Sequence, residues 1–379
     1  MDHPEGRHRS ARFLILSAGM GSGHDAVAAE LARRLGAAGH QTRYADVLDL
    51  LPAGVGGGLR SCYRMAVRHL PAVYAGVYAG FLQPGRGPRP SSSPLAARAE
   101  EPLLALVRRE RPDAVVAVFH LAAQVTGRLR ARGALRVPAA VVVTDFAVHR
   151  QWLHAGNDLY LCLTDRIARQ VRRAVSRPAA VSGPLVGGRF LEPAGDTWRR
   201  RLGTAGTEAV LLSAGAWGAG SRIADTARLV TAAGYLPVVL CGDNQRLRRA
   251  VARVPGALAP GWVEDMPGLM AACRVLVDNA AGQTALEALA MGLPVVGYRP
   301  IPGHGVAGVR AMARHGLSDH APDPWSLVRC LDVLSSPGPA RDRRVAAGHA
   351  LFTGDAVLPL ETLAGGARGT RPAARSLPR

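Results

Sequence analysis

Lysine is absent from this 379-residue chain, so all 47 basic residues are arginine. A Walker A phosphate loop and a protein kinase both need a lysine on the phosphates, and Schiff-base and pyridoxal enzymes need a lysine amine. The sequence therefore excludes these classes of enzyme. A phosphate bound by this protein must be held by arginine side chains or by backbone amides.

Long apolar runs and paired cysteines are also missing. The longest charge-free run in the first hundred residues, Leu70–Gly85, is shorter than the roughly 20 residues that cross a bilayer. The polar N-terminus is followed only by the apolar run Phe13–Leu16, which is too short for a signal peptide. The five cysteines include no C-x-x-C pair, which argues against structural zinc and favours a reducing compartment. These features predict a cytoplasmic protein.

Acidic residues are scarce in the first half of the chain. The net charge of +19 divides into +13 for residues 1–190 and +6 for residues 191–379. The segment Leu50–Ala99 has no acid, and its arginines are interleaved with aromatics. This combination is typical of a membrane interface, so we expect an anionic membrane surface and no nucleic acid as partner. The alternative is an ordinary helical pair with core tyrosines. The residues concerned are Arg60, Arg64, Arg68, Arg86, Arg89, Arg98, Tyr63, Tyr74, Tyr78 and Phe81.

Short apolar runs alternate with helical stretches in two series, separated by a stretch rich in Gly and Pro. Strands that are apolar on both faces and separated by helices predict parallel, doubly wound α/β sheets. We predict two Rossmann-like domains facing a cleft: residues 11–186, a linker at 187–206, and residues 207–352. Residues 353–379 are expected to be a C-terminal segment with a disordered basic tail. The predicted strands are Arg12–Ser17, Thr42–Asp46, Ala114–Phe119, Ala139–Thr144, Asp158–Leu163, Ala179–Ser182, Glu208–Ser213, Tyr235–Cys241, Arg274–Asp278 and Pro294–Tyr298.

The first candidate site is the glycine turn Ser17–Ala26, between the first strand and a helix. Its glycines let a ligand approach the backbone, and the helix N-terminus favours negative charge. The G-x-G-x-G spacing differs from the dinucleotide fingerprint, although Asp46 could imitate the ribose-binding acid of a dehydrogenase. His24, at the mouth of the turn, is placed to deprotonate a hydroxyl nucleophile. A histidine that only caps the helix is the alternative.

A second polar group follows the predicted strand Ala139–Thr144. Two histidines and an aspartate within ten residues suggest zinc, but their irregular spacing on a loop favours a polar cluster on the acceptor side. In that interpretation Asp145 orients His24 or binds an acceptor hydroxyl; the alternative is loop packing. The cluster comprises Asp145, His149, Trp152 and His154, with His120 at the same rim.

The second half of the chain contains two further glycine turns. The backbone amides of Gly215, Ala216 and Trp217 could hold a diphosphate. Gly282, Gln283 and Thr284 open another helix, whose Glu287 is placed to accept both hydroxyls of a ribose. No D-x-D motif occurs, so neither a metal nor another cofactor is expected. Amides and helix dipoles would meet the charge of the leaving diphosphate.

Together these residues resemble the monogalactosyldiacylglycerol synthase and processive diacylglycerol glucosyltransferase family. That family is related to the peptidoglycan lipid-intermediate N-acetylglucosaminyltransferase. The matching stretches are Leu16–Gly19, Gly23-His24, Ala45–Asp49, Thr144–Phe146 with His149 and Trp152, Ser182–Pro184, Cys241–Asn244, Asp265–Pro267, Gly282–Thr284 with Glu287-Ala288, and Pro302-Gly303.

The resemblance implies a GT-B fold, a UDP-sugar donor, inversion at the anomeric carbon and a diacylglycerol-like acceptor. It also implies an enzyme bound peripherally to the inner face of the cell membrane. By this similarity His24 is the base, assisted by Asp145, and Leu50–Ala99 is the acceptor and membrane segment. Acceptor-side residues are Gly23, His120, His149, Trp152, Arg60, Arg64 and Tyr63. Donor-side residues are Gly215, Ala216, Trp217, Val263, Gly282, Gln283, Thr284, Glu287 and His304.

One motif departs from the family pattern. The family's P-G-Q-E, with an asparagine three residues later, is here Pro302–Gly305 with the sequence PGHG, and Gly308 stands at the asparagine position. The lost Gln, Glu and Asn normally bind sugar hydroxyls. Either the donor is not glucose or galactose, or another segment supplies the contacts, or activity is weak. A soluble secondary metabolite as acceptor, and a catalytically impaired sugar-nucleotide-binding protein, are therefore kept as alternatives.

Overall fold

The computed structural model describes residues 10–82, 93–203, 206–220 and 222–369. The predicted loop around Arg86 and Arg89, the end of the second glycine turn at Ser221 and the basic tail 370–379 lie outside the described residues.

The first sheet has six strands in the order β2-β1-β3-β4-β5-β6, and every neighbouring pair is parallel. Its strands are β1 (Arg12–Ser17), β2 (Gln41–Asp46), β3 (Ala114–Ala117), β4 (Ala139–Val142), β5 (Leu159–Cys162) and β6 (Ala179–Val181). The associated helices are α1 (Ser22–Ala37), α2 (Val55–His69), α3 (Pro71–Val77), α4 (Ser93–Glu110), α5 (His120–Ala131) and α6 (Asp165–Val175). A π-helical turn, Tyr78–Leu82, follows α3, and short 3₁₀ turns occur at Val47–Leu50, Arg150–Trp152 and Gly188–Phe190.

The second sheet has five parallel strands in the order β11-β10-β9-β7-β8. Its strands are β7 (Ala209–Ser213), β8 (Leu236–Leu240), β9 (Val275–Asp278), β10 (Val295–Tyr298) and β11 (Asp319–Ala321). The helices of this half are α7 (Thr197–Gly203), α8 (Ile223–Ala232), α9 (Gln245–Val251), α10 (Met266–Ala271), α11 (Gln283–Ala290), α12 (His304–Arg314), α13 (Pro324–Ser335), α14 (Pro339–His349) and α15 (Val357–Gly369), with a 3₁₀ turn at Ala350–Thr353.

Side-chain alternation along the strands explains the layered core. On β1, Leu14 and Leu16 pack in one buried cluster, whereas Phe13 and Ile15 pack in another on the opposite face. Because both faces of the inner strands are covered, residues of β3, β4, β5, β7 and β9 are almost all apolar, whereas the edge strands β2 and β11 are largely polar. The predicted doubly wound sheets are confirmed, and each of the ten predicted strands is present.

Three regions were not foreseen. The strand β11 is short and mixed in polarity, so its sequence carries no strand signal. The predicted linker contains the helix α7. Part of the C-terminal segment forms α15, whose Leu360 is buried in the same cluster as Phe13, so the chain returns to the first sheet. There the Glu361 carboxylate lies 2.7 Å from His40 Nε2.

Candidate active site

His24 lies in the first turn of α1, beside the carboxyl end of the first sheet. Its Nδ1 is 3.0 Å from the carbonyl oxygen of Val118, which directly follows β3. A carbonyl can only accept, so Nδ1 carries the proton and Nε2 keeps its lone pair in the neutral ring. Burial lowers the pKa of His24, and the Asp145 carboxylate offsets part of this effect. The imidazole is therefore a neutral base, oriented by the backbone.

Three further histidines surround the same point: His120, His149 and His304. The rings of His120 and His149 meet edge to face, with centroids 5.0 Å apart. Burial lowers the pKa of His149 to about 4 and that of His120 well below its ordinary value. Their Nδ1 atoms are buried without a hydrogen-bond partner among the described residues. The cluster is thus a neutral, largely dry wall rather than a cationic one.

Asp145 is held by a tryptophan and not by the base. The Trp152 Nε1–H donates to Asp145 Oδ2 over 2.8 Å, and His149 Nε2 lies 3.6 Å from the same oxygen. Trp152 is fully buried, so it fixes the carboxylate firmly. Asp145 acts on His24 only through its charge, because the Val118 carbonyl occupies the position on Nδ1 that an orienting carboxylate would take.

His154 does not join this cluster. Its Nδ1 accepts from the Gly156 N–H at 3.0 Å, and its ring packs where a side chain on Gly127 would otherwise lie. The alternative interpretation, loop packing, is correct for this residue. Among the described residues, no group of three or more His, Cys, Asp or Glu is arranged as metal ligands.

Asp46 also has a structural task. Its carboxylate accepts from the Gly19 N–H and the Leu48 N–H, each at 2.8 Å, and pairs with Arg60 at 2.9 Å. These contacts hold the first glycine turn against α2. A carboxylate so occupied is not available to bind a ribose, which removes the main argument for a dehydrogenase.

The glycine turn after β7 depends on backbone shapes that only glycine readily adopts. Gly215 has φ 66° and Gly218 has φ 56°. A Cβ on Gly218 would lie 2.2 Å from the Cys241 carbonyl oxygen. The turn therefore packs against the loop after β8 and leaves Ala216 and Trp217 at the cleft.

The N-termini of α1 and α11 face each other. A Cβ on Gly23 would lie 3.5 Å from the Cβ of Gln283. Both helices begin with free backbone amides, and their dipoles point positive ends into the same space. Gly282 and Thr284 flank Gln283 at the start of α11. This convergence is a site for an anion.

Glu287 lies one turn further along α11. Burial raises its pKa to about 7, although Arg189 and Gln283 counteract the effect. Arg189 comes from the connection between the two sheets, and its guanidinium also donates to the Glu264 carbonyl at 3.3 Å. Val263, the other predicted donor residue here, is half-buried and packs against the large core cluster.

His304 connects the two halves of the protein. Its Nδ1 lies 2.8 Å from the hydroxyl of Tyr74 on α3, and the ring centroids are 5.5 Å apart. Asp145 and His24 both act on its pKa, so the histidine of the altered PGHG motif is brought to the cluster of histidines around Asp145. Burial lowers its pKa.

The tyrosines of the segment predicted to meet a membrane pack against the second half of the chain. Tyr63 contacts Trp217 edge to face at 5.6 Å, and Tyr74 and Tyr78 are buried. The alternative interpretation of a helical pair with core tyrosines is therefore correct for these side chains.

The expected role of the arginines is also corrected. Arg64 and Arg68 both pair with Asp243, and the Arg68 Nε–H donates to the Trp217 carbonyl at 2.6 Å. Arg60 is occupied by Asp46. Two carboxylates, Asp46 and Asp243, thus pair with three of the arginines that the sequence seemed to offer to lipid headgroups. Within the described residues, no helix is long and apolar enough to cross a membrane.

Sequence reasoning missed Tyr74 and Arg189 as site residues. Tyr74 was treated as one aromatic of a membrane segment, and Arg189 as part of a linker. Both reach the cleft only because elements distant in sequence meet there, as the Tyr74–His304 contact shows. One arginine among 47 carries no local signal that marks it.

Residues 24–182 match the family model described as monogalactosyldiacylglycerol (MGDG) synthase. A processive diacylglycerol beta-glucosyltransferase of Bacillus subtilis is 27% identical over 208 residues, covering 52% of this chain and 54% of the relative. The corresponding protein of Bacillus cereus is 28% identical over 209 residues, covering 52% and 53%. The chain thus spans about half the length of the curated relatives it matches.

Solved structures extend the likeness in fold to nearly the whole chain. MurG of Acinetobacter baumannii aligns with TM-score 0.57 and 13% identity over 94% of this chain and 99% of that one. The glycosyltransferase SnogD of Streptomyces nogalater aligns with TM-score 0.58 and 17% identity over 94% and 100%. The resemblance drawn from the motifs is therefore confirmed: residues 24–182 match the monogalactosyldiacylglycerol synthase model, the curated relatives are processive diacylglycerol glucosyltransferases, and the fold is the GT-B fold of glycosyltransferases.

Proposed function

We propose that this protein is an inverting glycosyltransferase that moves a sugar from a UDP-sugar to a hydroxyl of a diacylglycerol-like lipid. The observation that carries the proposal is the arrangement of His24. Its Nδ1 is tied to a backbone carbonyl, its free Nε2 belongs to a neutral ring, and the helix it begins faces a second helix N-terminus. A base beside an anion site suits transfer from a nucleotide diphosphate.

In the proposed reaction, the acceptor oxygen attacks the anomeric carbon from the side of α1. His24 Nε2 takes the hydroxyl proton as the new C–O bond forms and the bond to the diphosphate oxygen breaks. One displacement inverts the anomeric configuration. The Asp145 charge stabilises the imidazolium that results, since it already acts to raise the pKa of His24.

On the donor side, we assign the leaving UDP to the turn at Gly215–Trp217 and to the first amides of α11. The aligned amides of a helix N-terminus meet negative charge without a cation. Glu287 would accept the ribose hydroxyls, and Val263 would contact the base through its backbone. No metal has a role in this scheme.

The lipid part of the proposal rests on the homologues and on an exposed apolar ridge on α2, α3 and the π-helical turn. The ridge comprises Met65, Leu70, Val73, Val77 and Phe81, all largely exposed. Such a surface, beside the cleft, suits an enzyme that docks on a membrane and takes its acceptor from it. We accordingly place the protein at the inner face of the cell membrane, peripherally bound.

The test is a donor and product analysis with the purified full chain. Thermal shifts with UDP, UDP-glucose, UDP-galactose, UDP-N-acetylglucosamine, GDP-mannose and NAD identify the nucleotide, because a ligand of the native state raises its stability. The responding UDP-sugar is then incubated with diacylglycerol in mixed micelles, and the anomeric configuration of the product is read by NMR. A response to NAD alone, or retention of configuration, would overturn the proposal.

A catalytically impaired sugar-nucleotide-binding protein is the second candidate. Its support is His304, whose imidazole is engaged by Tyr74 where the family pattern has a residue for the sugar hydroxyls. Tight binding of a UDP-sugar with no transfer to lipid or to soluble alcohols would favour it. Transfer to soluble alcohols but not to diacylglycerol would indicate a soluble acceptor.

A further inference from the structure

A row of unpaired arginines follows the loop after β8. Arg246 and Arg249 lie on α9, and Arg253 follows just beyond its end. Arg246 and Arg249 are three residues apart and lie on one face of the helix, and Arg253 lines the same cleft as both. All three are exposed, and among the described residues none pairs with a carboxylate. We call Arg246, Arg249 and Arg253 the arginine face.

The arginine face lines two open clefts that run together. One, of about 420 Å³, is lined by Arg68, His69, Asn244, Arg246, Leu247 and Ala250. The other, of about 310 Å³, is lined by Arg246, Arg249, Ala250 and Arg253. Because Arg246 and Ala250 line both, they form one groove, with α2 on one side and α9 on the other. Of the residues that the structure describes, no acidic one lines this groove, and Asp243, just before α9, is already occupied by Arg64 and Arg68.

This groove continues into the apolar ridge. His69 lines the groove, and the next residue, Leu70, is part of the ridge. A basic strip that borders an exposed apolar strip is what a membrane surface with anionic headgroups requires, since the first meets the phosphates and the second meets the acyl chains.

We propose that the arginine face binds anionic phospholipid headgroups, so that the C-terminal sheet's own α9 shares the membrane contact with α2 and α3. The choice of lipid as partner rests on the proposed function. Single-stranded nucleic acid is disfavoured because no Phe, Tyr or Trp among the described residues lines the groove to stack a base. Docking through both halves of the chain would also fix the orientation of the cleft relative to the bilayer.

The test is co-sedimentation of the full chain with vesicles of phosphatidylcholine containing phosphatidylglycerol, and with vesicles of phosphatidylcholine alone. The triple variant R246E/R249E/R253E is compared with R310E/R329E/R343E. The control has the same change in charge on exposed arginines of α12, α13 and α14. These helices serve the β11 side of the sheet, whereas α9 follows β8 at the opposite edge. Circular dichroism checks that both variants fold.

Each basic residue near an anionic surface contributes roughly fivefold in affinity, so the arginine-face variant should lose about 100-fold on anionic vesicles. The control should lose less than about threefold, since long-range charge alone is screened. Equal losses in the two variants, no loss in either, or wild-type binding that ignores phosphatidylglycerol would each overturn the inference. The inference would also be overturned if R246E/R249E/R253E still bound anionic vesicles but had lost a binding to RNA that the wild type shows.

The same variants separate this inference from the proposed function. Transfer to diacylglycerol in detergent micelles, which offer no anionic surface, should be equal in wild type and R246E/R249E/R253E. Absence of transfer in the wild type would count against the proposed function alone, because the sedimentation comparison needs no catalysis.

Discussion

The two sides of the cleft use different chemistry. On the side of the first sheet, the site is made of side chains: His24, His120, His149 and Asp145. On the side of the second sheet it is made mainly of backbone, through a positive-φ glycine turn and the start of α11. Proton transfer needs a titratable group, whereas an anion can be held by fixed amides.

This division suits the proposed donor, because it lets a protein without lysine hold a diphosphate. The histidines next to Asp145 are kept neutral by burial and add no positive charge. Three arginines of α2 are paired with carboxylates, as Arg68 is with Asp243. The remaining positive potential comes from the helix N-termini and amides, and from Arg189 beside Glu287. Each of the following experiments perturbs residues on only one side of the cleft.

Replacing the base should have the largest effect. His24→Ala should lower kcat by about 10²–10⁴-fold, the usual contribution of a positioned base, with nearly unchanged UDP binding. The wild-type kcat should fall as the pH drops through a pKa below 6.5, because burial lowers the pKa of His24 and only the neutral ring accepts a proton. Initial rates against pH measure both effects.

His320→Ala is the matched control, since this histidine lies on β11 at the far edge of the second sheet. Its rates should equal those of the wild type. A fully active His24→Ala enzyme would remove His24 from the mechanism.

A substitution in the glycine turn after β7 should lower both the stability of the protein and its affinity for the donor. Gly218→Ala forces a side chain into a left-handed conformation, which costs roughly 1–2 kcal/mol, and pushes its Cβ against the Cys241 carbonyl. We expect a lower Tm and loss of the UDP-induced thermal shift.

Gly58→Ala tests whether any glycine substitution would lower the Tm and remove the UDP-induced thermal shift. Gly58 lies inside α2 with nothing within 4 Å of a new Cβ, so this variant should gain about 0.5–1 kcal/mol in helix propensity. UDP binding that survives Gly218→Ala unchanged would show that this turn does not hold the nucleotide.

The smallest effect concerns Glu287, the carboxylic acid of α11 on the donor side. Burial raises the pKa of Glu287 to about 7, whereas the unfolded chain ionises near 4.5. The native state therefore holds more protons between pH 4.5 and 7, and its stability falls as the pH rises through that window. Glu287→Gln should abolish this decline in chemical denaturation.

The same group links UDP binding to pH. Ribose hydroxyls donate to a carboxylate, so affinity should rise through pH 7 in the wild type. In Glu287→Gln it should be roughly tenfold lower and flat with pH, as expected for loss of a hydrogen bond to a charged group. Calorimetric titration measures this, with the exposed Glu101→Gln as control; a parallel pH dependence in wild type and Glu287→Gln would assign the linkage elsewhere.

Local patterns were sufficient for the order of the elements and for the residues of the glycine turns. Apolar runs such as that of β1 are buried on both faces, so composition alone marks them as central strands. His24 could be singled out because it begins a helix after such a turn. The packing of α15 on the first sheet could not be predicted in this way, because the residues of the pair that anchors it, His40 and Glu361, are 321 positions apart.

The sequence by itself determined the alternation of strands and helices, the family motifs and the lack of lysine, because these depend on residue identity and short spacing. Only the tertiary structure decided the partners of the charged and aromatic side chains. In the structure Arg64 and Arg68 pair with Asp243, and Tyr74 contacts His304. Within the described residues, the arginine face has no carboxylate partner. Charge and polarity are properties of a residue, whereas neutralisation and burial depend on which distant element the fold brings beside it.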